Sequence, residues 1–347
     1  MDKQGRLGFA LIGAGAVSPN HARAIEEMAD AQLVVVCDKN EKAAAKLVRE
    51  QNLSAQVETD YEKAAARDDV DVVDVCVPPF LHLEVGSAAA RAGKHVVVEK
   101  PTDISLERGE QLVAACRQAG VKMAGIFQSR YKKSHALLKR CVDEGRLGKL
   151  VLGDAYVKWQ RTKEYYASGD WRGTLRFEGG GAIINQTIHN IDTLQWIMGP
   201  VDDLFARATT RVHDIEVEDL CVVSLRYRNG ALGVIEGATC IVPGQPDRLA
   251  IHGETGTVIL ESGQVKHWDV QGMDPKEVER EVLDLKGSGA VDPMAFPHAW
   301  HQRQLQDMVD AIREDREPLV NGEEQLKSLR IVDAIYRSAR AGEPVKL

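Results

Sequence analysis

No two of the six cysteines (Cys37, Cys76, Cys116, Cys141, Cys221 and Cys240) are spaced C-x-x-C, and none has metal-ligand spacing. A disulfide framework and a zinc site are therefore not expected. Most of these thiols sit inside apolar runs and read as buried and reduced, as in a cytoplasmic protein. Long hydrophobic runs are also lacking. The longest near the start, residues 7–17, is broken by Gly8, Gly13 and Gly15 and is too short to span a bilayer. It lacks a convincing basic flank and cleavage site, so it is not read as a signal peptide. Basic blocks are missing as well: the formal net charge of −8 is spread along the chain, which argues against a nucleic-acid partner. There is no internal repeat and no low-complexity linker.

What is present is a chain of 347 residues, long for one hydrophobic core and natural for two domains. Its first third alternates β-branched runs at 7–12, 33–37, 70–77, 95–98 and 121–127 with helical stretches at 21–29, 42–50, 83–91 and 106–118. Near-continuous apolar strands separated by helices predict a doubly wound parallel sheet covered on both faces, an α/β Rossmann domain over residues 1–126. Beyond Phe127 the texture changes. A helix at 134–144 stops at Gly145 and Gly148, and strand-like alternation follows at 150–161, 204–212, 220–228, 232–241, 249–252, 258–261 and 265–270. Asn229-Gly230 marks a hairpin turn. The end returns to helix at 298–314 and 323–341, with Gly342 at the C′ position and Pro344 just beyond. These signals predict a second, α+β domain over 127–347, with a large, mainly antiparallel open sheet and helices on one side. The boundary is expected within residues 125–130, with the last helices packing back toward the core. The other face of that sheet, drawn from 220–227 and 232–241, is expected to be apolar and to be covered in a homodimer or homotetramer.

The first strand ends in Gly13-Ala14-Gly15-Ala16-Val17-Ser18, which opens a helix. Gly13 permits a tight turn, Gly15 lets backbone approach a pyrophosphate, and the helix start at Ala16 and Val17 supplies N–H donors. Ser18 stands where the third glycine of G-x-G-x-x-G would be. Asp38 closes the second strand run, where a carboxylate meets the adenosine ribose. Its charge opposes a 2′-phosphate, which favours NAD over NADP, although Lys39 follows directly.

Further motifs stand in order: Val77-Pro78-Pro79-Phe80-Leu81-His82, then Glu99-Lys100-Pro101, then Gly179-Gly180-Gly181-Ala182 ahead of Asn185-Gln186-Thr187-Ile188-His189-Asn190-Ile191-Asp192. With the glycine turn, the set resembles the Gfo/Idh/MocA family, which includes glucose–fructose oxidoreductase and inositol dehydrogenase. The resemblance runs nearly the whole length. It implies that Pro78 and His82 lie along the cofactor, that Glu99 and Lys100 stand beside the nicotinamide, and that Gln128 contacts the cofactor. It also implies that the Lys100–Pro101 bond is cis, and that Trp171 and Arg172 belong to a loop closing on cofactor and substrate.

Chemistry gives Lys100 and His189 separate support. Hydride departure from a carbinol carbon requires the hydroxyl proton to leave too, and a cation and a base serve that step. Lys100 follows a parallel strand at its C-terminal end, where such sheets bind ligands. Residues 185–198 are predicted to form one helix, with Asn185, His189, Asp192 and Trp196 along a polar face. Many family members carry aspartate where this chain has Asn185. An amide cannot relay a proton, which shifts weight to Lys100 and leaves Asn185 to bind a substrate hydroxyl. Asp192 reads as a residue that holds His189 in place. The other histidines form no metal-like cluster, and His298 and His301 have no evident carboxylate partner, so no metal is expected.

The expected function is oxidoreduction, with hydride moving between NAD and a carbinol carbon of a sugar, nucleotide sugar or inositol-like polyol. Alternatives are an NAD-dependent glycosidase that oxidises its substrate transiently, and a non-catalytic dinucleotide-binding regulator.

Overall fold

Strand β1, Leu7–Ile12, is buried at every position, as a central strand covered on both faces must be. The structure is a computed structural model and describes residues 5–292, 295 and 297–347. After β1 the chain alternates α1 (Ser18–Glu26), β2 (Ala31–Cys37), α2 (Glu41–Glu50), β3 (Gln56–Glu58), α3 (Tyr61–Ala65), β4 (Val72–Val75), α4 (His82–Arg91), β5 (His95–Val98), α5 (Leu106–Ala119) and β6 (Met123–Gly125). Every pairing is parallel, in the order β3-β2-β1-β4-β5-β6. That is the order of the doubly wound dinucleotide-binding sheet, whose ligands lie beyond the carboxyl ends of the strands at the β1/β4 switch point.

The remainder holds α6 (Lys133–Asp143), β7 (Leu150–Lys158), α7 (Lys163–Ala167), α8 (Leu175–Glu178), a π-helical turn at Ile183–Thr187 and α9 (Ile188–Met198). Then come β8 (Val201–Thr209), β9 (Leu220–Tyr227), β10 (Leu232–Ala238), β11 (Arg248–Gly253), β12 (Gly256–Glu261), β13 (Gln264–Val270), α10 (Pro275–Glu281), α11 (His298–Arg313), α12 (Gly322–Ala341) and β14 (Val345–Lys346). The second sheet runs β13-β12-β11-β7-β10-β9-β8-β14 and is antiparallel except where β7 meets β10. Asn229-Gly230 turns β9 into β10, with Gly230 at φ 88°.

Two compact units result. One holds the described residues through Gln128 together with Pro297–Leu326; the other holds those from Ser129 together with Lys327–Leu347. The expected domain over 127–347 is thus corrected, because Pro297–Leu326 belongs with the first unit. Its helix α11 carries Leu305, Met308 and Val309 into the core formed by Phe9, Leu11 and Ile25. An apolar helix face docks where it buries most surface, whatever its place in the sequence.

The expected apolar outer face also needs correction. In β9 the strand period of two points Cys221, Val223, Leu225 and Tyr227 inward, where all are buried. Outward stand Val222, Ser224 and Arg226, so that face is mixed rather than apolar.

Candidate active site

The β1–α1 turn has the form a dinucleotide requires. Gly13 sits at φ 109°, and a Cβ there would lie 2.4 Å from the Cys76 carbonyl oxygen, so glycine is obligatory. A Cβ on Gly15 would meet nothing within 4 Å, and Gly15 and Ala16 are exposed. The space before the start of α1 is open to a pyrophosphate. Val17 precedes the helix, and Ser18 is fully buried in the third-glycine position. Asp38 accepts the Ala14 N–H at Oδ2 and the Asn40 N–H at Oδ1, both at 2.8 Å. These bonds fix the carboxylate yet leave lone pairs for ribose hydroxyls.

Pro78 is half-buried at the start of the loop after β4. His82 behaves differently from the expectation that it contacts the cofactor. It is buried, and its ring nitrogens lie 2.9 Å from the Pro101 carbonyl and 3.0 Å from the Val77 carbonyl. Burial lowers its pKa, and the neutral ring can donate to one of these two carbonyls. Gln128 is buried, and its side-chain oxygen has no hydrogen-bond partner among the described residues, which leaves an acceptor for a ligand amide. Together these residues fit a bound dinucleotide.

Glu99 and Lys100 follow β5, and the Lys100–Pro101 bond is cis. Glu99 Oε2 accepts the Lys100 N–H at 3.0 Å, and Oε1 lies 3.0 Å from His21 Nε2. His21 Nδ1 is 2.7 Å from Asp74 Oδ2, and His301 Nε2 is 3.9 Å from Glu99. All four side chains are buried. An imidazole facing two carboxylates donates from both nitrogens only when protonated. Burial works against the His21 charge, but Asp74 and Cys76 together outweigh it and raise the pKa well above the usual value. Burial likewise works against the Glu99 charge, but the His21 hydrogen bond and charge bring it down to about 2. Burial, aided by His21, pushes His301 down to about 3, so it is neutral. The expectation of no histidine cluster is therefore corrected: ligand atoms of His21, Glu99 and His301 lie within 4.8 Å of one another, as do those of His21, Asp74 and Cys76. Because both His21 nitrogens already bond to carboxylates, His21 offers no ring lone pair to a metal, and its contacts with Asp74 and Glu99 are hydrogen bonds.

In the second unit, Gly179-Gly180-Gly181 leads into the π-turn. A Cβ on Gly181 would lie 2.0 Å from the Glu218 carbonyl oxygen. The Glu218 carboxylate, its pKa raised by burial, accepts the Gly181 and Ile183 N–H groups at 2.9 Å and the Tyr336 hydroxyl at 3.0 Å. The single helix predicted over 185–198 is thus interrupted, and the wider turn displaces Asn185 from a uniform helical register. Asn185, His189 and Trp196 are partly exposed, whereas Asp192 is fully buried. Arg130 grips Asp192 through Nε at 2.8 Å and Nη2 at 2.7 Å, and Ser328 donates to it at 2.9 Å. Asp192 therefore anchors Arg130 rather than His189. The Asn185 amide donates to Glu178, so a carboxylate does stand beside it, supplied from another turn. Trp171 and Arg172 are partly exposed, and Arg172 Nη1 donates to the Tyr165 hydroxyl at 2.6 Å.

A doubly wound sheet with this glycine turn, a fixed Asp38 and a Glu-Lys pair at its carboxyl edge defines an NAD-binding oxidoreductase. Residues 7–126 match the oxidoreductase family with NAD-binding Rossmann fold, and residues 135–259 match the GFO/IDH/MocA C-terminal domain. The chain belongs to the Gfo/Idh/MocA family. It is similar to the WlbA dehydrogenase from Bordetella pertussis, solved in complex with NADH and UDP-GlcNAcA, with 32% identity and TM-score 0.89 over 99% of this chain and 98% of that one. The corresponding enzyme from Chromobacterium violaceum, with the same ligands, also gives 32% identity and TM-score 0.89, over 100% and 97%. The inositol 2-dehydrogenase of Rhizobium meliloti is 25% identical, over 95% of this chain and 96% of its own length.

Proposed function

We propose that this oxidoreductase is a dehydrogenase of a sugar, nucleotide sugar or inositol-like polyol, with Lys100 and His189 handling the hydroxyl proton. The observation that carries this reading is the Glu99–Lys100 pair beyond β5, on the carboxyl edge that also carries the Gly13–Val17 turn. Bound NAD supplies the hydride acceptor. The hydroxyl proton would pass to a neutral base, the His189 imidazole or the Lys100 amine, and in its ammonium form Lys100 would stabilise the alkoxide. Asn185 hydrogen-bonds a substrate hydroxyl, and Trp171 and Arg172 close on the substrate. The relatives named above act on an inositol or hold a UDP-linked sugar, which supports the substrate class. The test is absorbance at the reduced-nicotinamide band when sugars and nucleotide sugars are added with NAD. A released leaving group without net reduction would indicate the glycosidase, and neither signal would indicate the regulator.

NAD is expected to bind at least about tenfold more tightly than NADP, because a fixed carboxylate opposes a 2′-phosphate and like-charge juxtaposition costs several kcal/mol. Titration calorimetry with both cofactors checks this, and tighter NADP binding would show that Lys39 overrides Asp38.

We also propose a homodimer or homotetramer, supported by Val222 and Leu232, which are 46% and 57% exposed on the outward face of β9 and β10. Sedimentation at micromolar concentration should show no monomer peak; a monomer alone would refute it. A cytoplasmic location is supported by six cysteines that form no disulfide. Among the described residues, no helix is long and apolar enough to cross a membrane.

A further inference from the structure

Five side chains of the second unit form a series in which aromatic rings and guanidinium groups alternate. Arg161 Cζ lies 5.0 Å from the Trp159 ring centre and 5.2 Å from that of Tyr165. Arg172 Cζ lies 4.3 Å from the Tyr165 centre and 4.4 Å from that of Trp171. Tyr165 is therefore shared by two cations, and its hydroxyl accepts from Arg172 at 2.6 Å and from Gln186 at 3.0 Å.

The hydrogen bonding of the two guanidinium groups is sparse. Arg161 is 5% exposed, sends Nη1 to the Gln160 carbonyl at 2.8 Å, and leaves Nε without a partner. Arg172 donates only to hydroxyls, those of Ser168 and Tyr165. Among the described residues, neither forms an ion pair with a carboxylate. Arg130, the other buried guanidinium of this unit, has a dedicated carboxylate in Asp192. Burial pulls the Arg161 pKa below its usual value, and Arg172 acts in the same sense. Cation–π attraction offsets only part of the cost of desolvating an ion. Two neighbouring cations, one of them buried with an unused N–H, lack the anion that such a pair ordinarily faces.

We propose that Arg161 and Arg172 form the recognition site for a carboxylate on the substrate, so that the enzyme oxidises a sugar acid, free or nucleotide-linked. This rests on the dehydrogenase reading above. A planar guanidinium fork matches a carboxylate in two parallel hydrogen bonds, and the flanking rings hold both forks in place.

The test is calorimetry on the NADH-loaded enzyme with paired ligands: UDP-glucuronate against UDP-glucose, and glucuronate against glucose, with a glucose phosphate as the third arm. Turnover with NAD is followed in parallel. At least one uronate is expected to bind about ten- to a hundredfold more tightly than its neutral parent. Arg172→Gln should remove most of that preference, and Arg172→Lys should retain part of it. Arg161→Gln, confirmed as folded by thermal unfolding, should act in the same direction. Equal affinity for the acid and neutral members of both pairs, absence of binding included, would overturn the proposal. So would an undiminished preference in Arg172→Gln, or tighter binding of the phosphate than of glucuronate. A uronate preference without nicotinamide reduction would keep the anion site and sink the dehydrogenase reading. Turnover of neutral sugars with no uronate preference would do the reverse.

Discussion

Lys100→Met is expected to lower turnover by at least about a hundredfold while NAD stays bound. Lys100 lies two residues beyond the end of β5, and its backbone N–H is held by Glu99 Oε2 at 3.0 Å. Glu99 is in turn held by His21, which is held by Asp74. This chain of contacts orients the segment that carries Lys100. Methionine keeps much of the stem's bulk but supplies neither charge nor proton. His189→Ala should slow turnover less, since Asn185 cannot relay a proton as an aspartate would. Single-turnover nicotinamide reduction, run beside a cofactor affinity measurement, separates chemistry from binding. A Lys100→Met enzyme at near wild-type rate would remove Lys100 from the acid–base role. One that lost only NAD affinity would make Lys100 a cofactor anchor and His189 the leading proton carrier.

His21→Leu is expected to destabilise the fold by about 3–5 kcal/mol, the usual cost of leaving a buried charge uncompensated. It removes the cation between Asp74 and Glu99, and both carboxylates are buried. The pH dependence follows from the two shifts. His21 has a raised pKa, so its contribution is complete below the ordinary value of 6.5 and is lost as pH climbs through the higher folded value. Glu99 has a lowered pKa, so its contribution is present above 4.5 and is lost as pH falls toward about 2. These are two views of one interaction and are not summed. The stability gap between wild type and His21→Leu should therefore be widest between about pH 4.5 and 6.5 and narrow on both sides. Urea midpoints across pH measure it, and a gap independent of pH would refute the protonated assignment of His21.

Much of the fold was legible because it is written in local periodicity. Strands β1 and β5 fall where the apolar runs place them, and α4, α5, α6, α11 and α12 begin and end within a residue of their predicted bounds. Strand β3 was missed: Gln56–Glu58 is a three-residue edge strand with Val57 36% exposed, so it carries no alternation to read. The π-turn was missed because a uniform helical period was assumed through a segment whose geometry is set by Glu218, a residue of another element.

The sequence by itself determined the parallel nucleotide-binding sheet, the glycine turn, Asp38 and the Glu99–Lys100 pair, because each depends on contiguous residues and short-range sterics. Tertiary structure alone decided which partners those residues have. His21 meets Asp74 from 53 positions away and Glu99 from 78, and Arg130 takes Asp192 from 62. It likewise decided that Pro297–Leu326 returns to the first unit and that Arg161 and Arg172 come together on Tyr165. Buried polar groups must find partners or ligands, and packing brings the partners together without regard to their distance along the chain.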